Sequence, residues 1–129
     1  MSENVPQNAL FVCFGGMSNV GVLSGLASLE AIQKLPPGKA GIFCLGGLPT
    51  QAPLVLSKTQ AVERIITIDG CPLNCAKKIV ENAGFYPNLS ITLTEDCEIQ
   101  KGPPSNWTSS DLEKVSQVIQ DIILTEEVR

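Results

Sequence analysis

Four short apolar runs, each closed by turn residues and three of them followed by a helically spaced stretch, constrain this chain most. The runs are Ala9–Phe14, Gly41–Leu45, Arg64–Asp69 and Leu89–Leu93. Each has the length of a buried strand rather than a helix. After the first come Val20, Leu23, Leu26, Leu29 and Ile32 at helical spacing, with Ser18 or Asn19 placed to cap them and Pro36-Pro37-Gly38 to end them. Gly21 and Gly25 lie one turn apart there, so that helix can approach a neighbour closely. A shorter helix is predicted within Pro49–Val62, although Pro53 counts against it. After the third run, Pro72 suits a first helical position and Gly84 a C-terminal cap. The last helix opens at Thr108–Asp111, with Ser110 and Glu113 spaced as a capping box. Leu112, Val115, Val118, Ile119 and Ile122 form its apolar face.

Strand and helix alternating to the end predict a mostly parallel sheet covered on both faces. The expected fold is α/β: a small three-layer α/β/α sandwich with four strands in flavodoxin-like or Rossmann-like order, 2-1-3-4. The 129 residues fit one domain spanning the whole chain, and 43% hydrophobic residues can fill a core without disulfides.

Composition then removes classes of function. The net charge of −4 and only two arginines, Arg64 and Arg129, oppose a nucleic-acid partner or an anionic membrane surface. The polar start Met1–Asn4 is no signal peptide, and no run reaches the ~18 apolar residues of a membrane helix. The expected location is therefore cytoplasmic, where thiols stay reduced. The apolar composition is compatible with a homodimer and names no protein partner. Histidine is absent, which excludes Cys/His zinc fingers, Ser-His-Asp triads and Cys–His nucleophile pairs. Any metal must be held by thiolates, carboxylates or water.

Five cysteines remain. Cys13 and Cys44 lie at the ends of the first two runs, and Cys71 and Cys97 just past the third and fourth, at spacings of 31, 27 and 26 residues, one strand–helix unit each. In a parallel sheet all such positions lie on the carboxyl edge, where α/β proteins bind ligands. Cys75 is expected one helical turn after Cys71, on the same face. Cys71 itself is expected at a helix N-terminus, whose N–H groups favour a thiolate. Cys13-Phe14-Gly15-Gly16 and Cys44-Leu45-Gly46-Gly47 resemble each other, as a duplicated turn or as two similar strand-to-helix connections. Zinc suits a tetrahedron of thiolates, with Cys71 and Cys75 as the near pair and Cys13 and Cys44 as the distant one. Lys77 and Lys78 would offset part of the charge. Asp69 caps the third helix, ligates a metal or acts as a base. The competing readings are inert packing of buried cysteines, a thiol redox enzyme or sulfur carrier using Cys71 with Cys75 or Cys13, and an iron–sulfur cluster.

The run Ile68-Asp69-Gly70-Cys71-Pro72-Leu73-Asn74-Cys75-Ala76 resembles the signature of the DGC-domain family, and the two Cys-x-Gly-Gly segments and Glu81-Asn82-Ala83-Gly84 extend the likeness. The resemblance implies a zinc-binding domain with Cys13, Cys44, Cys71 and Cys75 as ligands and Asp69 beside them. It leaves Cys97 a peripheral fifth thiol and implies no particular reaction, so catalytic residues stay unassigned and the role is structural, regulatory or metal-handling.

Overall fold

The computed structural model describes residues 4–125. The polar Met1–Glu3 and Arg129 therefore lie outside the described residues. Strands β1 (Asn8–Val12), β2 (Ala40–Ile42), β3 (Arg64–Asp69) and β4 (Leu89–Thr92) form one sheet in the order β2-β1-β3-β4. Every pair is parallel, with Ala9 beside Gly41 and Ile65, and Ile68 beside Ile91. The fold class is as the alternation of patterns implies, and the strand order, which that alternation does not dictate, coincides with the one expected from flavodoxin-like sheets. The first two strands stop short of expectation, because Cys13 and Cys44 lie beyond their ends.

Helices α1 (Asn19–Lys34) and α5 (Ser109–Thr125) cover one face, and α2 (Pro53–Ala61) and α3 (Cys75–Asn82) the other. A single turn, α4 (Leu93–Asp96), follows β4 directly. Leu10, Val12, Leu23, Ile66, Ile68, Ile91, Val115, Ile119 and Ile123 fill the first side, while Ala9, Phe11, Leu48, Ile65 and Val80 fill the second. The alternation of neighbouring β1 residues between the two clusters is what a strand buried on both faces requires.

Four local expectations change. Helix α1 buries Gly21, Ser24, Gly25, Ala27, Ser28 and Ala31 alongside Val20 and Leu23, whereas Leu26 and Leu29 are exposed. Small residues win because α1 packs against both the sheet and α5, and short side chains let these elements approach closely. Pro53, which spoke against a helix, occupies its first turn, where a missing N–H costs nothing. The capping box of α5 is Thr108 with Asp111: the Asp111 N–H donates to Thr108 Oγ1 at 3.1 Å, and the Thr108 N–H to Asp111 Oδ2 at 3.0 Å. It stands two residues before the Ser110–Glu113 pair. Finally, α3 starts at Cys75 and not at Pro72, because Asn74 adopts a left-handed conformation (φ 52°) that breaks any continuous helix from Cys71. Gly84 does end α3 with a positive φ of 90°, as its sequence position predicts.

Candidate functional site

The β1–β2 crossover runs through α1 on one face, and the β3–β4 crossover through α3 on the other. The chain thus departs in opposite directions from the adjacent strands β1 and β3. This is the switch point at which open parallel sheets leave a crevice beyond their carboxyl ends. Two loops border it: residues 13–18 after β1 and residues 70–74 after β3.

Glycines seat both loops on the start of α1. A Cβ on Gly21 would collide with the carbonyl of Gly15, and one on Gly70 would stand 2.6 Å from the carbonyl carbon of Val20. A Cβ on Gly25 would enter the ring of Phe14. Phe14 itself has φ 51°, a conformation rarely taken by bulky residues. Its N–H donates to Ser24 Oγ at 3.2 Å, and Ser24 in turn donates to the Gly21 carbonyl at 2.7 Å. The helix therefore dictates the shape of the loop that carries Cys13. Ser18 caps α1 by accepting from the Gly21 N–H.

Cys13 is anchored by its own N–H on the Ile68 carbonyl at 2.9 Å, and its sulfur accepts the Gly15 N–H at 3.2 Å. Burial pushes its thiol above the ordinary range; N–H donors from Gly15 and Gly70 oppose that, while Asp69 and Cys75 raise it further. Cys13 thus feels the charges of Asp69 and Cys75 across the switch point. Asp69 is 2% exposed. Its carboxylate accepts the N–H groups of Ala76 at 2.7 Å and Lys77 at 3.1 Å, so it caps the first turn of α3 from the neighbouring strand. Burial raises its pKa, and those two donors together with Lys77 and Lys78 pull it back. The two lysines act on Asp69.

Cys71 sits in the turn before α3, half-buried, and Lys101 Nζ lies 3.6 Å from its sulfur. The expectation that Cys71 opens a helix, with Cys75 a helical turn further on, is corrected: Cys75, exposed, is the first residue of α3. Asn74 between them is tied to β4 by the Thr92 hydroxyl at 3.0 Å. Cys44 is exposed and precedes a 3-10 turn at Leu45–Gly47. Its loop does not repeat the conformation of the Cys13 loop, in which Phe14 is left-handed, so the shared Cys-x-Gly-Gly pattern yields two different turns. Cys97 is 1% exposed within the α1/α5 core, and burial pushes its thiol up to about 11.

Four thiols from three loops therefore stand at one sheet edge without forming a finished cage. Among the described residues, no group of three or more Cys, Asp or Glu side chains is close enough to hold a metal ion. The donor chemistry fits a thiophilic ion such as zinc: several accessible sulfurs, backbone N–H groups aimed at one of them and no competing imidazole. A hollow of about 340 Å³ lies away from the thiols, lined by Leu48, Gln51, Leu56, Ile79 and Asn82.

Sequence reasoning missed Asn19 and Lys101. Asn19 is weighed there only as a cap, yet it is 2% exposed and makes four side-chain hydrogen bonds. Its Nδ2 donates to the carbonyls of Gln100 (2.9 Å) and Asn106 (3.1 Å); its Oδ1 accepts the N–H groups of Val20 (2.8 Å) and Gly102 (2.6 Å). It clamps the segment 98–107 over the carboxyl edge. No local pattern marks either residue, since apart from Val20 their partners lie 30 to 87 residues away.

Residues 9–119 match the model of the DGC domain. The chain is also 30% identical over 108 residues to the anaerobic and virulence modulator AnvM of Pseudomonas aeruginosa, covering 77% of this chain and 79% of that protein. No solved structure matches it. No helix among the described residues is long and apolar enough to cross a membrane.

Proposed function

The chain belongs to the DGC-domain family, and from that premise we propose that it binds zinc through Cys13, Cys44, Cys71 and Cys75 at the carboxyl edge of its sheet. The observation that supports the reading is the placement of Cys13 and Cys71 in the two loops that border the β1/β3 switch point and of Cys75 at the start of α3, beside a buried Asp69 committed to capping that helix. A four-thiolate zinc site is closed to substrate, so the ion supplies cross-linking of three loops and no reaction. Asp69 positions Cys75 by fixing the first turn of α3, and the Gly15 and Gly70 N–H groups stabilise the Cys13 sulfur as an anion. Since the four sulfurs are not gathered beforehand, metal uptake draws the loops together, which suits a regulatory or metal-handling domain. The name of AnvM describes a modulator, and a modulating role in the cytoplasm is the extension we propose for this chain.

Elemental analysis of protein purified without added metal, together with thiol counting, tests the reading. About one zinc per chain is expected, with four thiols masked until a chelator is added and Cys97 masked until unfolding. Metal-free protein whose four edge thiols react freely would sink it.

A second reading rests on the placement of Cys75 at the start of α3, near enough for its charge to act on Cys13. As a redox pair they would transfer two electrons and two protons to an external disulfide, forming their own sulfur–sulfur bond. Recovery of a Cys13–Cys75 peptide from oxidised, metal-free protein supports that alternative; its absence removes it.

A further inference from the structure

We infer that Lys101 is a positioning residue of the thiol site, donating to the Cys71 sulfur and supplying the positive charge that a zinc–thiolate centre needs nearby. The inference rests on the metal reading above and adds a residue to it.

A centre of one divalent ion and four thiolates carries a net charge of −2. Donors and cations that face such a centre stabilise that charge. The α3 lysines are the obvious candidates, but neither donates a hydrogen bond to a thiol among the described residues; their charges lower the pKa of Asp69. Lys101 instead points its Nζ at Cys71 Sγ, 3.6 Å away, within hydrogen-bonding reach of sulfur.

That contact is built and not accidental to one long side chain. Lys101 lies between Gln100 and Gly102, the two residues that Asn19 grips through the Gln100 carbonyl and the Gly102 N–H. The Asn19 N–H also donates to the Gly102 carbonyl at 3.0 Å. The backbone on both sides of Lys101 is thus fixed to the first residue of α1, next to the loop that holds Cys13. On the other side, the Thr94 N–H donates to the Gly70 carbonyl at 3.2 Å, tying the Cys71 loop to the turn after β4. The lysine backbone and the Cys71 loop are each held by a scaffold, so the span the lysine side chain must bridge is fixed before the contact forms.

The test compares zinc affinity, by competition with a chromophoric chelator, in the full chain and in Lys101→Met, Lys101→Arg and Lys78→Met. Lys101 is exposed, and metal-free Lys101→Met is expected to melt with the parent. Loss of the charged donor should weaken zinc binding about tenfold or more. Arginine, which keeps charge and donors, should restore most of it, and Lys78→Met should stay within about twofold of the parent. Equal affinity in Lys101→Met, equal losses in the two methionine variants, or a metal-free protein destabilised to the same degree would each overturn the inference and leave the metal reading standing. Failure of the parent chain to take up zinc overturns both.

Discussion

The first turn of α1 and the loop after β1 meet backbone to backbone: a Cβ on Gly21 would overlap the carbonyl of Gly15. That approach sets where Cys13 stands, because Cys13 lies two residues before Gly15 and its sulfur accepts the Gly15 N–H. The same turn of α1 receives Gly70 from the other side of the crevice. One helical turn therefore sets the spacing of both loops.

Gly21→Ala should consequently cost about 3 kcal/mol or more, because the clash is with main chain that cannot rotate away. Gly25→Ala meets only the ring of Phe14, which is half-exposed and free to swing into solvent. Alanine also favours the helix by about 1 kcal/mol over glycine, so Gly25→Ala should cost well under half as much. Urea unfolding of the two variants measures the contrast. Equal losses would show that the Phe14 ring is as immobile as the Gly15 carbonyl.

What could be read in advance, and what could not, divides along a physical line. Strand β3 was legible to the residue, because Arg64–Asp69 is an apolar run buried on both faces. The common edge of Cys13, Cys44, Cys71 and Cys75 followed from topology alone, whereas Cys97, expected there as well, is buried in the core. Features that depend on tertiary partners were hidden. Asn74 looked like a helical residue after Pro72, and only its link to Thr92 reveals the left-handed turn that separates Cys71 from α3. Leu26 and Leu29 fit a helical stripe, yet packing against both sheet and α5 selected the small residues instead. Lys101 carries no local signal, since the residue that places it, Asn19, lies in another element.

Asn19→Ala removes a buried acceptor and donor pair and leaves the Gln100 and Asn106 carbonyls and the Gly102 N–H without it. Each stranded group costs about 1–3 kcal/mol unless water reaches it. The segment 98–107 should therefore lift from α1, at a net loss of about 3 kcal/mol. The chain's single tryptophan, Trp107, packs against the core beside Asn106. Its fluorescence should shift to longer wavelength in the variant before global unfolding begins. An unshifted native spectrum would mean that something other than Asn19 holds the segment.

Asp69 caps α3 from outside the helix, so its variants should separate charge from hydrogen bonding. Asp69→Ala removes the partners of both the Ala76 and Lys77 N–H groups and should cost about 2 kcal/mol. Asp69→Asn keeps one acceptor oxygen and should retain roughly half of that. Amide exchange at Ala76 and Lys77 reports the cap directly, and should accelerate in both variants, most in alanine. Unchanged exchange there would remove Asp69 from the capping role.

Cys97 links the core to alkaline stability. Burial, aided by Asp96 and opposed by Lys114, lifts its thiol from an ordinary value of 9.0 to about 11. Between those values the native chain holds a proton that the unfolded chain has released. Stability must therefore fall as pH rises through that window, by about 3 kcal/mol once it is passed. Below pH 9 the group contributes no slope. Cys97→Val keeps most of the packed volume among core neighbours and should cost under about 1.5 kcal/mol at neutral pH. It removes the titrating group, so the variant should gain on the parent between pH 9 and 11 and overtake it at the upper end. Urea unfolding of both chains across that range isolates the difference, since every other titrating group is shared. Parallel curves would mean that the buried thiol does not govern the alkaline limb.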